Sequence, residues 1–154
     1  TVLQYQWRTP DPGENDDGHI ISNDGTVISF RQGDAGRPLL LVHGMTADHN
    51  SWHRISPQLE RRFTVYAVDQ RGREGSGDSP DYHFNREVED VVAVAEAIGE
   101  PVFLLGHSYG GLLSMEATLL TDRVSRLILY EADAPQALIT AAIDEGIVLY
   151  EREG

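Results

Sequence analysis

Residues 102–111 read Val-Phe-Leu-Leu-Gly-His-Ser-Tyr-Gly-Gly. Four apolar residues run into Gly106-His107-Ser108-Tyr109-Gly110, and a helix-forming stretch follows at once. The pattern is a buried strand that ends at G-x-S-x-G and turns directly into a helix. A serine on such a corner holds strained backbone angles, and its hydroxyl stands above the sheet edge. Gly106 and Gly110 flank it because side chains there would collide with the neighbouring strand and helix. Ser108 is therefore the candidate nucleophile.

Outward from this corner the chain alternates. Apolar strands are predicted at 38–42, 63–68, 102–105 and 124–130, with helices at 51–60, 86–98 and 109–120 between them. Upstream, two short β-like runs at 19–22 and 26–31 surround Asn23-Asp24-Gly25, a hairpin signal. Near-continuous apolar strands separated by amphipathic helices predict an α/β fold, with a mostly parallel, doubly wound sheet covered on both faces. Residues 1–17, with Pro10, Pro12 and Gly13 among acidic neighbours, read as a solvated arm, and 18–135 as the core domain. Residues 136–154 read as a further helix, with Ile139, Ile143, Ile147 and Tyr150 roughly in line and Gly146 weakening it.

Composition narrows the function. The 154 residues carry a formal charge of -13 with pI near 4.7, and all 12 cationic residues are arginine. Such an acidic chain is not expected to bind nucleic acid or an anionic membrane surface. Without cysteine there is no disulfide, thiolate metal site or cysteine nucleophile. No apolar stretch approaches the roughly 20 residues of a membrane span, and residues 1–8 lack the basic and apolar regions of a signal peptide. A cytoplasmic protein without cofactor or metal is expected.

In a parallel sheet, function gathers where the strands end. One strand ends at His43-Gly44-Met45, the next at Asp69-Gln70-Arg71-Gly72, the third at Ser108. Acyl transfer turns a carbonyl oxygen into an oxyanion that needs two N–H donors. The backbone amides of Met45 and Tyr109 are the candidate pair, the latter aided by the helix N-terminus.

These three signatures, in order and spacing over residues 18–135, are similar to the α/β-hydrolase fold superfamily, in its serine-esterase-like branch. One departure is Glu74, where relatives usually carry glycine. The resemblance implies a chain order of nucleophile, acid, then histidine. No histidine follows position 107 here, so it carries over the nucleophile and the oxyanion donors but no base. It also implies a sheet truncated after the sixth strand, with 136–154 opening a cap or lid. Serine at the corner argues against the dehalogenase- and epoxide-hydrolase-like relatives, which carry aspartate. Perhydrolase- or peroxidase-like relatives keep the serine, and that activity stays open.

Other polar residues offer substitutes. His107 is expected to pack below the elbow, and His43 to bond beneath the oxyanion loop, though both are histidines near the serine. His49 and His53, four apart, could share a metal, but read better as solvent-exposed. His19 and His83 are placed in turns without partners. Asp133, after the 124–130 strand with Glu131, is a further candidate acid. Asp69 and Arg71 are expected to hold their loop. The 72–77 glycines resemble a phosphate loop only superficially, since Pro80 follows. The acidic run 87–90 suits a helix start and needs no function. Trp52 is expected in the core or pocket wall.

Two functions remain. One is a serine hydrolase acting on a small-molecule carboxylic ester or related acyl bond, its histidine base coming from outside these residues. The other is a non-catalytic domain that self-associates or takes a complementing chain along an open edge at 124–130.

Overall fold

The computed structural model describes residues 16–33, 36–132 and 148–151. In chain order these form β1 (Asp16–Ile21), β2 (Val27–Gly33), β3 (Arg37–Val42), a 3₁₀ turn (His49–Trp52) and α1 (Ser56–Leu59). Then follow β4 (Phe63–Val68), α2 (Phe84–Ile98), β5 (Val102–His107), α3 (Tyr109–Thr118), β6 (Val124–Tyr130) and β7 (Val148–Glu151). All seven strands join one sheet in the order β1-β2-β4-β3-β5-β6-β7. β1, β2 and β4 pair antiparallel, while β4, β3, β5, β6 and β7 run parallel. The mostly parallel sheet of the α/β-hydrolase fold is the one expected.

Why these segments are strands shows in β3. Leu40 and Val42 join the core on one face, with Val88, Val91, Val94 and Ala95 of α2 and Leu113, Met115 and Ala117 of α3. Leu39 and Leu41 point the other way, to Trp52, Val65 and Ala67. A strand buried on both faces has no room for polar alternation, so it reads as an unbroken apolar run. Helix α2 buries Val88, Val91 and Ala95 at helical spacing and stops at Gly99, whose φ of 78° is left-handed. Gly25, at φ 90°, closes the β1–β2 hairpin in the same way.

Several boundaries differ from expectation. β1 begins at Asp16, so the last two residues assigned to the solvated arm belong to the sheet, as does His19. The 51–60 helix is two short pieces, because Pro57 lacks an N–H and its ring would clash with the carbonyl four residues back. Helix α3 ends at Thr118, leaving Leu119 and Leu120 exposed.

The largest correction concerns 136–154. Of this predicted helix, 148–151 is instead a strand, paired in parallel with β6 from Leu127↔Val148 to Tyr130↔Glu151. Val-Leu-Tyr is a strand-favouring run, and it meets an edge whose backbone groups need partners. β6 is consequently not the open edge anticipated. Asp133, 136–147 and 152–154 lie outside the described residues.

Among the described residues no helix is long and apolar enough to cross a membrane.

Glu74 stands where the loop after β4 demands a φ of +33°. Left-handed backbone costs an L-residue with a Cβ about 1–2 kcal/mol. Replacement of Glu74 by glycine is therefore expected to raise stability by about 1 kcal/mol, read as a higher urea midpoint with unchanged slope. An unchanged or lower midpoint would contradict the strain.

Candidate active site

At the end of β5 the chain reverses within one residue. Ser108 takes φ 51° and ψ −120°, a combination that costs energy and persists only where the surroundings over-determine it. Its N–H donates to the Tyr130 carbonyl at 2.9 Å, and its own carbonyl accepts from the Gly111 N–H at 2.9 Å. The corner also depends on its glycines. A Cβ on Gly106 would lie 2.5 Å from the Gly110 carbonyl oxygen and 2.6 Å from the Ser114 hydroxyl. A Cβ on Gly110 would lie 2.3 Å from the His43 carbonyl oxygen and 2.4 Å from that of Val42. α3 can thus pass directly beside the end of β3, and Ser108 is left exposed above the sheet.

The loop after β3 reaches this corner. A Cβ on Gly44 would sit 3.6 Å from the Ser108 Cβ, so this glycine's backbone lies against the serine. Met45 follows it, exposed, and Tyr109 occupies the first turn of α3, where backbone N–H groups have no intrahelical acceptor. Met45 and Tyr109 thus directly follow the two residues, Gly44 and Ser108, that meet at this corner.

His43 is fully buried beneath this loop. Its Nδ1 donates to the Gly44 carbonyl at 2.7 Å, and its Nε2 accepts from the Gln70 N–H at 3.1 Å. Burial pushes the imidazole below its usual pKa, which keeps it neutral. With both nitrogens committed, His43 ties the end of β3 to that of β4 and has no lone pair for a serine proton. His107 makes no hydrogen bond to Ser108. Its ring packs between Trp52 (6.4 Å between centroids) and Tyr130 (5.2 Å), and its Nε2 is 3.4 Å from the Glu131 carboxylate. Trp52 is a buried core residue, as expected.

Sequence reasoning misread three polar groups. His49 is not solvent-exposed: its backbone N–H and its Nδ1 both donate to Asp69, at 2.9 and 2.8 Å. Asp69 also takes the Ser29 hydroxyl at 3.3 Å, so it pins the far end of the loop after β3 to β2 and the β4 loop. His83 has a partner, with its Nδ1 2.6 Å from the Asp81 carboxylate. Asp90, read as part of an acidic helix start that needs no function, is buried against Arg71. The available signal was Arg71 itself, since a buried guanidinium requires a carboxylate. Among the described residues no three His, Asp or Glu side chains gather to hold a metal ion.

On α2, Glu87 accepts from the Tyr109 hydroxyl. Burial pushes the Glu87 carboxyl up, and burial together with this bond raises the Tyr109 phenol. Phe84 packs edge-on against the Tyr109 ring, 6.1 Å between centroids. Tyr109 is thus held from two sides. A cavity of about 530 Å³ lies along β2, lined by residues including Ser29, His49 and Asp69 and not by Ser108.

Comparison with known proteins agrees with this geometry. Residues 39–151 match the model of the alpha/beta hydrolase family. N-formylmaleamate deformylase of Pseudomonas putida is 32% identical over 65% of this chain and 38% of its own length. 2-Hydroxymuconate semialdehyde hydrolase of a Pseudomonas species is 30% identical over 82% of this chain and 47% of its own. An alpha/beta hydrolase structure from Sphaerobacter thermophilus superimposes with a TM-score of 0.70 at 34% identity, covering 83% of this chain and 55% of that one. The chain thus spans about half, or less, of the length of the relatives it matches.

Proposed function

Because this chain belongs to the alpha/beta hydrolase family, we propose that it carries the nucleophile half of a serine hydrolase acting on a carboxylic ester or related acyl bond. The observation that supports this most is the strained, exposed Ser108 on the β5–α3 corner, with the Gly44 backbone against it. Strain at a corner that packing over-determines is the signature of a positioned group rather than of a loop. In the mechanism, the Ser108 hydroxyl attacks the acyl carbon as a base takes its proton, and the ester C–O bond breaks with loss of the alcohol. Water then releases the acid from the acyl-serine. The developing oxyanion takes hydrogen bonds from the Met45 and Tyr109 amides, and the α3 N-terminus adds its positive end.

A serine hydroxyl is a weak nucleophile at neutral pH without a base. His43 is committed to structure and His107 is turned toward Glu131. The base is a histidine supplied from outside these 154 residues, by a longer chain or a second polypeptide. Two relatives bear the names of enzymes acting on N-formylmaleamate and on 2-hydroxymuconate semialdehyde. Both substrates are carboxylates, and we place the substrate of this chain in the same class: a small acyl compound with a second, anionic carboxylate.

The test is the hydrolysis of p-nitrophenyl acetate by the purified chain beside Ser108→Ala. Oxyanion and binding contacts alone leave about 10³–10⁴-fold catalysis over water when triad members are removed from proteases. Slow turnover through an acyl-serine is expected in the wild type and at least about tenfold less in Ser108→Ala. Equal rates in the two proteins would remove Ser108 from the chemistry.

A further inference from the structure

We propose that Arg73 is the residue that recognises the substrate carboxylate at the Ser108 site, an inference that rests on the function proposed above. Arg73 stands exposed in the loop after β4, and its Nη2 donates to the Met45 carbonyl at 2.6 Å. Met45 follows Gly44, whose backbone lies against Ser108. The guanidinium is therefore anchored on the rim of the oxyanion loop, by one hydrogen bond out of the five N–H donors that an arginine carries. Among the described residues it has no carboxylate partner. Arg71, two positions earlier, is by contrast saturated by Asp24, Asp90 and two backbone carbonyls.

The surroundings of Arg73 resemble a substrate mouth. Its charge reaches His43, Tyr82 and Glu87, which lie at the end of β3, before α2 and in the first turn of α2. Met45, whose carbonyl it holds, and Tyr82, within reach of its charge, expose apolar surface suited to a carbon skeleton. Of the carboxylates nearby, Glu87 is occupied by the Tyr109 hydroxyl, and Glu74 adjoins Arg73 in sequence on the exposed loop. A planar guanidinium matches a carboxylate with two parallel hydrogen bonds, which a lysine cannot do. In a chain of formal charge -13, an anionic substrate is repelled by the overall field, so a local cation beside the nucleophile decides whether it docks.

Binding of succinate and of its uncharged diamide, followed by amide shifts in NMR titrations, tests this without requiring turnover. Wild type is expected to bind succinate with saturating shifts at Met45, Thr46 and Tyr109, and the diamide at least tenfold more weakly. Arg73→Gln is expected to weaken succinate about tenfold or more, Arg73→Lys by less, and succinate binding to fall with added salt. Unchanged succinate affinity in Arg73→Gln, or equal affinity of wild type for both compounds, would overturn the inference. Should Arg73→Gln fail to fold, succinate affinity indifferent both to Arg73→Lys and to salt would overturn it equally. Ser108→Ala is expected to keep succinate binding. Succinate held by Arg73 in a protein whose ester turnover ignores Ser108 would thus refute the hydrolase reading alone, and the converse result would refute this one alone.

Discussion

Asp90→Ala is expected to lower the unfolding free energy by about 3–5 kcal/mol, the usual effect of removing one partner of a buried ion pair. Asp90 grips Arg71 with both oxygens, Oδ2 to Nε and Oδ1 to Nη2, each at 2.7 Å. It also accepts from the buried Ser22 hydroxyl. Arg71 is 1% exposed and Asp90 is 4% exposed. Without Asp90 the guanidinium keeps Asp24, at 2.8 Å, and two backbone carbonyls, but loses its principal counter-charge inside the core. Domains of this size are stable by only about 5–15 kcal/mol, so the variant should unfold at a much lower urea concentration or fail to accumulate. A loss below about 1 kcal/mol would show that water or rearrangement compensates the arginine, against the burial seen here.

Gly110→Ala is expected to damage both stability and the site. The added methyl carbon would sit 2.3–2.4 Å from two backbone oxygens of the β3 end, which cannot rotate away as a side chain would. α3 must therefore back off from β3, and with it the Tyr109 amide and Ser108. Overpacking of this kind typically costs about 1–3 kcal/mol, and a displacement near 1 Å at a reacting group can cost about 10²-fold in rate. Urea titration and ester turnover read the two effects separately. The comparison is Gly77→Ala, whose closest approach, to the Val27 amide nitrogen, is 3.3 Å and which should be far milder. Equal behaviour of the two variants would mean that the elbow does not rely on close helix–strand contact.

Much of this architecture was legible because its determinants are local. The runs 63–68 and 124–130 are mostly apolar and coincide with β4 and β6. The glycines of 106–110 announce a corner whose contacts a Cβ would violate. Long-range partners were not legible. Asp90 resembles the neighbouring Glu87 and Glu89 in sequence, and only the fold brings Arg71 to it across 19 positions. His49 likewise meets Asp69 only because β3 and β4 lie side by side. The strand at 148–151 was lost for a related reason. A short apolar stretch satisfies helical and extended spacing alike, and the free edge of β6 decides between them. Arg73 carries no motif of its own, and its place at the loop after β3 rests on one hydrogen bond to the Met45 carbonyl.

If Ser108 is a nucleophile without its base, free imidazole should stand in for the missing histidine. The decisive measurement is p-nitrophenyl acetate hydrolysis against imidazole concentration, for wild type and Ser108→Ala, with the background reaction of imidazole subtracted. Wild type is expected to gain a saturable, imidazole-dependent rate that Ser108→Ala lacks. Identical imidazole dependence in the two proteins would contradict a poised serine at this elbow.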